Sequence, residues 1–590
     1  MRLLRSLALL AVLALPGVTA LAEEPSPASD LRERRHALIQ LISEYQDYED
    51  YKPSRTQEEI AARRAVRLDR IEVIDPDKAA AARLAKARGF LPRLEAIDTT
   101  GFPEHEVLNK VLLVRQLRMD IEGDRFQLRR MPVDQLGGIH LGAPRWAHLP
   151  PRPLPEDFDT LLANYRKIPA LFDQTMAQMK KGMAEGLMPP RYLLEKVARQ
   201  AGEIARMSPE SSPFGAPLDR IPADLLAAKR KKLRADLLTA IRKGILPAYA
   251  RFARFVKEEY APKGRAEPGI WSLPDGKARY AWLVRISTTT DLTPEEVHQI
   301  GLGEVARIEG EMKEVAVRLG YPDPRSLNAA TAVDPKLHAG SAEQLLALYR
   351  SHIEAMQPRL PELFLKVPER RLEVAPLESY QEKESPRAEY RPGDPGKVIV
   401  NTSEPRDTLA VESTAYHEGV PGHHLQWAFV DANPNLVPFR MALGYPAYVE
   451  GWALYAERLA KEIGFYQDPY GDYGRLQGEL FRAARLVVDT GLHAERWSRE
   501  KAVQYMRDHL AMGETEIGNE VDRYAVWPAQ ALGYKIGEMK LLELREHARK
   551  ELGAAFDLRK FHQQVLGQGV LPLDVLAEKI DRWIAVEKKP

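Results

Sequence analysis

Glu412–Gln426 reads ESTAYHEGVPGHHLQ, and the rest of the chain is interpreted from this stretch. Three of the 14 histidines, His417, His423 and His424, crowd into it, and Glu418 directly follows the first. A His-Glu pair with another His shortly after is the core of a zinc-dependent hydrolase helix. Two imidazoles hold the metal there, and the Glu takes a proton from the attacking water. The usual spacing, H-E-x-x-H, works because i and i+4 share a helical face. Here i+4 is Pro421, which cannot ligate.

On a straight helix His423, at i+6, sits about 120° around from His417, and His424, at i+7, returns to the same face about 10 Å along the axis. Two nitrogens on one zinc, each at about 2.0–2.1 Å, must be a few ångströms apart, so neither histidine serves on an unbroken helix. Gly419, Pro421 and Gly422 are the residues that break one. A bulge that absorbs two extra residues carries His423 to the place of the second ligand. The expected pair is therefore His417 and His423, with His424 beside the site or facing substrate. A His-rich turn, solvated or hydrogen-bonded in the core, is the competing interpretation.

Farther on comes YVEGWALYAERLAKEIG, Tyr448 to Gly464. Trp452, Leu454, Tyr455 and Leu459 make a buried helical stripe, and Glu450 and Glu457, seven apart, share one face. A carboxylate from a following helix completes three protein ligands and leaves one position for water. Glu450 is the expected ligand, because Gly451 permits close approach of the two helices. Glu457 then orients a ligand from behind. The alternative is two ordinary exposed helix glutamates.

HEGVPGHHLQ followed by EGWALYAE resembles the bacterial proteins grouped as domain-of-unknown-function family 885. These look like distant relatives of the Glu-zincins, the mostly helical zinc peptidases. Fainter matches, TTTDLTPEEVHQIGLGEV, VVDTGLH and WPAQALGYKIG, spread the resemblance over roughly residues 270–540. It implies a mainly α, zincin-like metallopeptidase fold with one small β-sheet beside the active-site cleft. Those relatives mostly carry H-E-x-x-H, and the dipeptidyl peptidases III carry one extra residue; this chain carries two.

Residues 1–22 read as a secretory signal: Arg2 and Arg5, an apolar run from Leu7 to Leu15, and Ala20-Leu21-Ala22 as a cleavage site. The run is too short to span a bilayer. The chain has no cysteine, so no lipidated cysteine and no disulfide is expected, and any metal is held by His and carboxylate. The mature chain is expected to be exported, soluble and periplasmic, without a membrane span; an uncleaved anchor is the alternative. A net charge of +1 and the lack of a basic tract with interleaved aromatics exclude nucleic acid as a partner. Nothing in the sequence points to an oligomeric state.

Residues 23–270 read as an N-terminal helical scaffold lobe, charged and amphipathic, with Pro-rich connectors near His148–Pro155 and Ser208–Pro222. Residues 271–590 read as the catalytic lobe. Within it, Thr293-Pro294-Glu295-Glu296 is a helix start, and His298 on that helix is taken as structural. Around Val398–Val400 the chain turns strand-like, and an exposed strand there could pair with an extended peptide substrate. Asn401 beside it either assists or caps a turn.

Downstream, Asp489 and His493 are spaced to hydrogen-bond on one helical face, with Arg485 nearby. Arg523, Tyr524 and Tyr534 flank a Pro-interrupted helix. A zinc peptidase must stabilise an oxyanion, for which Tyr534, His493 and Tyr524 are the candidates, and Arg523 is suited to a substrate carboxylate. Each alone is more often structural. The sequence thus points to an exported zinc metallopeptidase acting on oligopeptides, with Glu418 as general base and zinc on His417, His423 and Glu450. The rival is a non-catalytic exported protein that binds metal or ligand on a degenerate zincin scaffold. Glu418 separates the two, since a pure metal binder needs no carboxylate beside its first ligand.

Overall fold

A computed structural model describes residues 27–48, 70–150, 153–378 and 386–589. The signal assigned to residues 1–22 lies outside the described residues. The described chain is mainly helical, with one three-stranded sheet. Helix starts follow the local chemistry: Thr293 accepts from the Glu296 N–H while Glu296 reaches back to the Thr293 N–H, a complete capping box with Pro294 in the first turn.

The hydrophobic cores do not divide at residue 270. Leu38, Leu94 and Leu112, from the helices Pro27–Tyr48, Pro76–Glu95 and Glu104–Asp124, share one core with Tyr349, Leu425, Trp452 and Leu576. A second core, built from Phe158, Tyr165, Phe172, Tyr249 and Phe252, occupies the stretch between Val133 and Ala261. These three helices therefore pack on the C-terminal half, while the chain between residues 133 and 261 packs around a centre of its own. Amphipathic periodicity shows that a helix has an apolar stripe; it does not show which partner buries it.

Two long helices, Pro294–Arg318 and Pro469–His493, pack tightly where Gly301 meets the other helix: a Cβ there would come 2.7 Å from the Leu486 Cβ. The Pro446–Glu462 and Gly533–Leu552 helices approach as closely. A Cβ on Gly451 would lie 2.5 Å from the Gly537 Cα, and one on Gly537 would lie 1.8 Å from the Ala447 carbonyl oxygen. Gly451 thus serves the Gly537 helix, not the His417 helix as the sequence suggested.

The sheet runs in the order β1 (Leu372–Pro376), β3 (Gly396–Val400), β2 (Ala388–Arg391). β1 is parallel and β2 antiparallel to β3. Val398 faces Val374 on one side and Tyr390 on the other, so the Val398–Val400 strand is central and cannot take up a substrate. The edge that lies toward the histidine stretch belongs to β2. No described helix is long and apolar enough to cross a membrane.

Candidate metal centre

The helix Val411–Glu418 stops at Gly419, and a second helix begins at His423. The expected bulge is a complete break. Gly419 (φ −92°, ψ −120°) and Gly422 (φ −79°, ψ −131°) leave helical geometry, and the Val420–Pro421 bond between them is cis. The chain doubles back so closely that a Cβ on Gly422 would sit 2.0 Å from the His417 carbonyl oxygen. Only glycine fits there. The new helix is tied on by the His424 N–H donating to the Gly419 carbonyl at 3.1 Å.

The break brings His417 and His423 together, their rings 4.9 Å apart and perpendicular. His417, His423 and Glu450 each offer one ligand atom, all within 4.8 Å of one another. The Glu450 Oε2 is 3.6 Å from the His417 Nε2 and 3.4 Å from the His423 Nε2. Those separations are long for hydrogen bonds. They match the edge of a tetrahedron of ligands about 2.0–2.1 Å from one ion, roughly 3.3 Å. The rear nitrogens agree. His417 Nδ1 lies 2.8 Å from Glu457 Oε1 and His423 Nδ1 lies 3.0 Å from Gln426 Oε1. Both partners are acceptors, so both Nδ1 atoms carry the proton and both Nε2 lone pairs face the shared point.

The charges fit as well. Glu418, Glu450 and Glu457 surround two imidazoles, and among the described residues no lysine or arginine lies within ion-pair distance of the three carboxylates. Burial alone would lower the His417 pKa, yet Glu450 and Glu457 raise it to about 9. His423 is also raised, its burial outweighed by Glu450. Burial would raise Glu450, but the two imidazoles hold it well below the usual carboxylate range. A buried cluster of this sign favours a cation.

Glu418 stands beside the donor triangle, its Oε1 4.0 Å from the His417 Nε2. Burial raises its pKa, and the Tyr390 backbone N–H of β2 donates to its carboxylate. His424 turns the other way: Nδ1 lies 3.2 Å from the Tyr390 hydroxyl and Nε2 3.2 Å from the Arg370 carbonyl. It fastens the helix to the sheet, and burial lowers its pKa to about 4.

Of the downstream candidates, only Tyr534 reaches the cluster. Gly533 abuts Pro446 and Ala447, which sets the first turn of the Tyr534 helix against that of the Glu450 helix. Burial, with Glu450 adding, raises the Tyr534 pKa to about 12. The others are committed elsewhere. His493 accepts from the Ile270 N–H and donates to the Tyr524 carbonyl, each at 3.0 Å, so neither nitrogen is left for an oxyanion. Asp489 does not pair with His493; it accepts from the Tyr280 hydroxyl at 2.6 Å and the Ala529 N–H at 2.9 Å. The Tyr524 hydroxyl donates to Glu520 at 2.7 Å, and Arg523 pairs with the same carboxylate at 2.9 Å. Asn401 caps a turn, accepting from the Ser403 N–H and hydroxyl. His298 is structural, bonded to the Thr490 hydroxyl.

Gln426, Tyr390 and Arg482 escaped the sequence reading. Gln426 had a usable signal, since it lies three residues after His423 on the same helical face.

The family profile described as "Bacterial protein of unknown function (DUF885)" matches residues 61–580. The chain belongs to this family. It is similar to the crystal structure of a candidate lipoprotein from Colwellia psychrerythraea, with 28% identity, a TM-score of 0.83, and coverage of 94% of this chain and 99% of that one. A candidate lipoprotein of unknown function from Shewanella oneidensis matches over the same shares at 18% identity and a TM-score of 0.68, a likeness of fold alone. No curated protein matches the chain.

Proposed function

We propose that this DUF885 protein is an exported zinc-dependent hydrolase that cleaves peptide bonds in oligopeptides, on a zincin-like fold. The observation that carries the proposal is the pairing of a three-donor cluster, with Glu450 3.6 and 3.4 Å from the two imidazole nitrogens, with a fourth buried group, Glu418, that stands beside the donors. Zinc suits two imidazoles and a carboxylate, and when bound it would supply Lewis acidity toward a water and a carbonyl. Glu418 takes the proton of the attacking water and delivers it to the leaving nitrogen; the water's hydroxyl adds to the acyl carbon as the C–N bond breaks. The Tyr390 N–H holds the Glu418 carboxylate in place for both transfers. Tyr534, beside Glu450, is the group placed to steady the oxyanion.

Substrate placement falls to β2. The Asn401 N–H donates to the Arg387 carbonyl, which makes Arg387, Glu389 and Arg391 the residues bonded to β3 and turns the Ala388 and Tyr390 backbone groups outward. An extended peptide laid along that edge would lie over Glu418 and the donor cluster. Export is supported by the amino-terminal sequence pattern and by the neighbour from Colwellia psychrerythraea described as a candidate lipoprotein.

The protein as purified should carry about one zinc per chain, and a peptide-library digest should be abolished by a chelator and restored by zinc. Glu418→Gln should keep the zinc and lower turnover by roughly 10²–10⁴-fold. Full activity in Glu418→Gln would remove the hydrolase reading and leave a metal-binding protein.

A further inference from the structure

A second charged cluster lies on the far side of Tyr534. Arg485, on the Pro469–His493 helix, is 8% exposed. Its guanidinium is 4.0 Å from the centre of the Phe481 ring and 4.8 Å from that of Tyr534. Its nearest carboxylate oxygen, on Glu520, is 3.4 Å away, and Glu520 is already engaged by Arg523 and the Tyr524 hydroxyl. The Arg485 Nε is buried without a partner. One turn earlier on the same helix, Arg482 donates only to the Gly478 carbonyl of its own helix, its Nε is likewise buried and unpartnered, and no carboxylate among the described residues lies within ion-pair distance.

Arg485 and Arg523 share the single carboxylate of Glu520 and Arg482 has none among the described residues, so the three guanidinium groups carry an excess of two positive charges. Glu418, Glu450 and Glu457 with one divalent ion would carry an excess of one negative charge. The two clusters meet at Tyr534: the Arg485 guanidinium stands over its ring, and Gly533 sets its helix against the start of the Glu450 helix. Taken together they are one anionic group short of neutrality. A buried cation left unpaired is costly, which makes a ligand carboxylate at this point favourable.

Resting on the metallopeptidase reading above, we propose that Arg482 and Arg485 form a subsite for the free α-carboxylate of a peptide, so that the enzyme acts at carboxyl-terminal ends. Bound there, the terminal carboxylate faces the guanidinium pair, and the bond to be cleaved lies toward Glu418 and the donor cluster. An internal stretch of a long chain brings no carboxylate to this position and leaves Arg482 without a carboxylate partner and Arg485 with only the shared Glu520. The subsite thereby sets specificity, not the chemistry of the step.

The test compares a hexapeptide library with free carboxyl termini against the same library amidated, measuring binding to Glu418→Gln, which spares the ligand from turnover. The free-acid library should bind about 10–100-fold more tightly, the range of a charged hydrogen-bonded pair. Arg482→Gln, and separately Arg485→Lys, should bring the free acids down toward the amides. Arg482 is the milder site should Arg485 prove necessary for folding. Equal binding of the two libraries, no binding of either, or a preference that survives both substitutions overturns the subsite. Enrichment of amidated members with Asp or Glu near the end overturns its terminal assignment, because a side-chain carboxylate would then be the ligand. Hydrolysis of the same libraries by the wild-type protein is scored separately by new amino groups. A silent wild type removes the peptidase reading, while the binding comparison still decides the carboxylate subsite.

Discussion

Two clusters of charge in the C-terminal half, a helix-bridging network and the donor cluster, differ in balance. In one, Glu304, Glu479, Glu538 and Asp472 face Arg307, Lys535, Arg475 and Lys461. Each carboxylate meets a cation at hydrogen-bonding distance, and Lys535 alone touches Glu304, Glu479 and Glu538 at 3.0, 2.7 and 2.6 Å. In the other, three carboxylates have two histidines and, among the described residues, no arginine or lysine within ion-pair distance. The balanced network can be complete as it stands, holding four helices in register. The unbalanced one calls for a positive partner from outside the chain. Such clusters therefore read as scaffold or site according to whether their charges close.

The sharpest way to break that comparison is to remove a donor. His423→Ala should lose the zinc, and with it all hydrolysis, whereas His424→Ala should keep close to one zinc per chain because its nitrogens serve Tyr390 and Arg370. Metal analysis of the two purified variants decides between them, and the reverse order would place the wrong histidine in the cluster. Next in size is the balanced network. Lys535→Met leaves Glu538 without its cation and takes one of three from Glu479, and should cost about 3–5 kcal/mol in denaturant unfolding, with zinc content unchanged. A small loss there would mean that the network is less interlocked than its distances indicate.

Glu457→Gln tests the rear of the site. The amide oxygen can still accept from the His417 Nδ1, but the negative charge that raises the basicity of the imidazole is gone. Zinc affinity, measured against a competing chelator, should fall by roughly 10–100-fold without loss of fold. An unchanged affinity would make Glu457 a packing residue.

How much of this was legible beforehand follows from the range of each interaction. That His417, Glu418, Glu450 and Glu457 gather at one point was readable because each pair is spaced along its own helix, and the approach of His423 because glycine and proline announce where a helix ends. Tyr390 was not, since its contacts to Glu418 and His424 depend on how the sheet docks. Val398–Val400 was read as an exposed strand, although a run of apolar β-branched residues is what a strand covered on both faces looks like, and Val398 and Val400 are fully buried. The lobe boundary at residue 270 failed for a similar reason, because the stripe of the Glu104–Asp124 helix says nothing about its partner. Asp489 and His493 failed most instructively. Their i, i+4 spacing would pair them on a surface helix, but both are buried, and in a core the backbone groups of other segments compete for them first.

Asp489 also supplies the smallest and most specific test. It is fully buried and its pKa rises to about 7, chiefly through burial, which the Tyr280 hydroxyl and the Ala529 N–H offset only in part. In the unfolded chain the same group titrates near 3.9. Between those values the folded protein holds a proton that the unfolded chain has released, so the stability contributed by the neutral acid is complete below about pH 4 and is lost as pH rises through about 7. Asp489→Asn replaces that acid with a permanently neutral group whose oxygen can still accept from Tyr280 and Ala529. The substitution should therefore do little at pH 5 and raise the melting temperature by about 1–3 °C at pH 8, given the large unfolding entropy of a chain of this size. Zinc content and hydrolysis should stay as in the wild type. Destabilisation at pH 8 would show that the ionised carboxylate is needed, and Asp489 would then join the unbalanced charges on the site's side of the comparison.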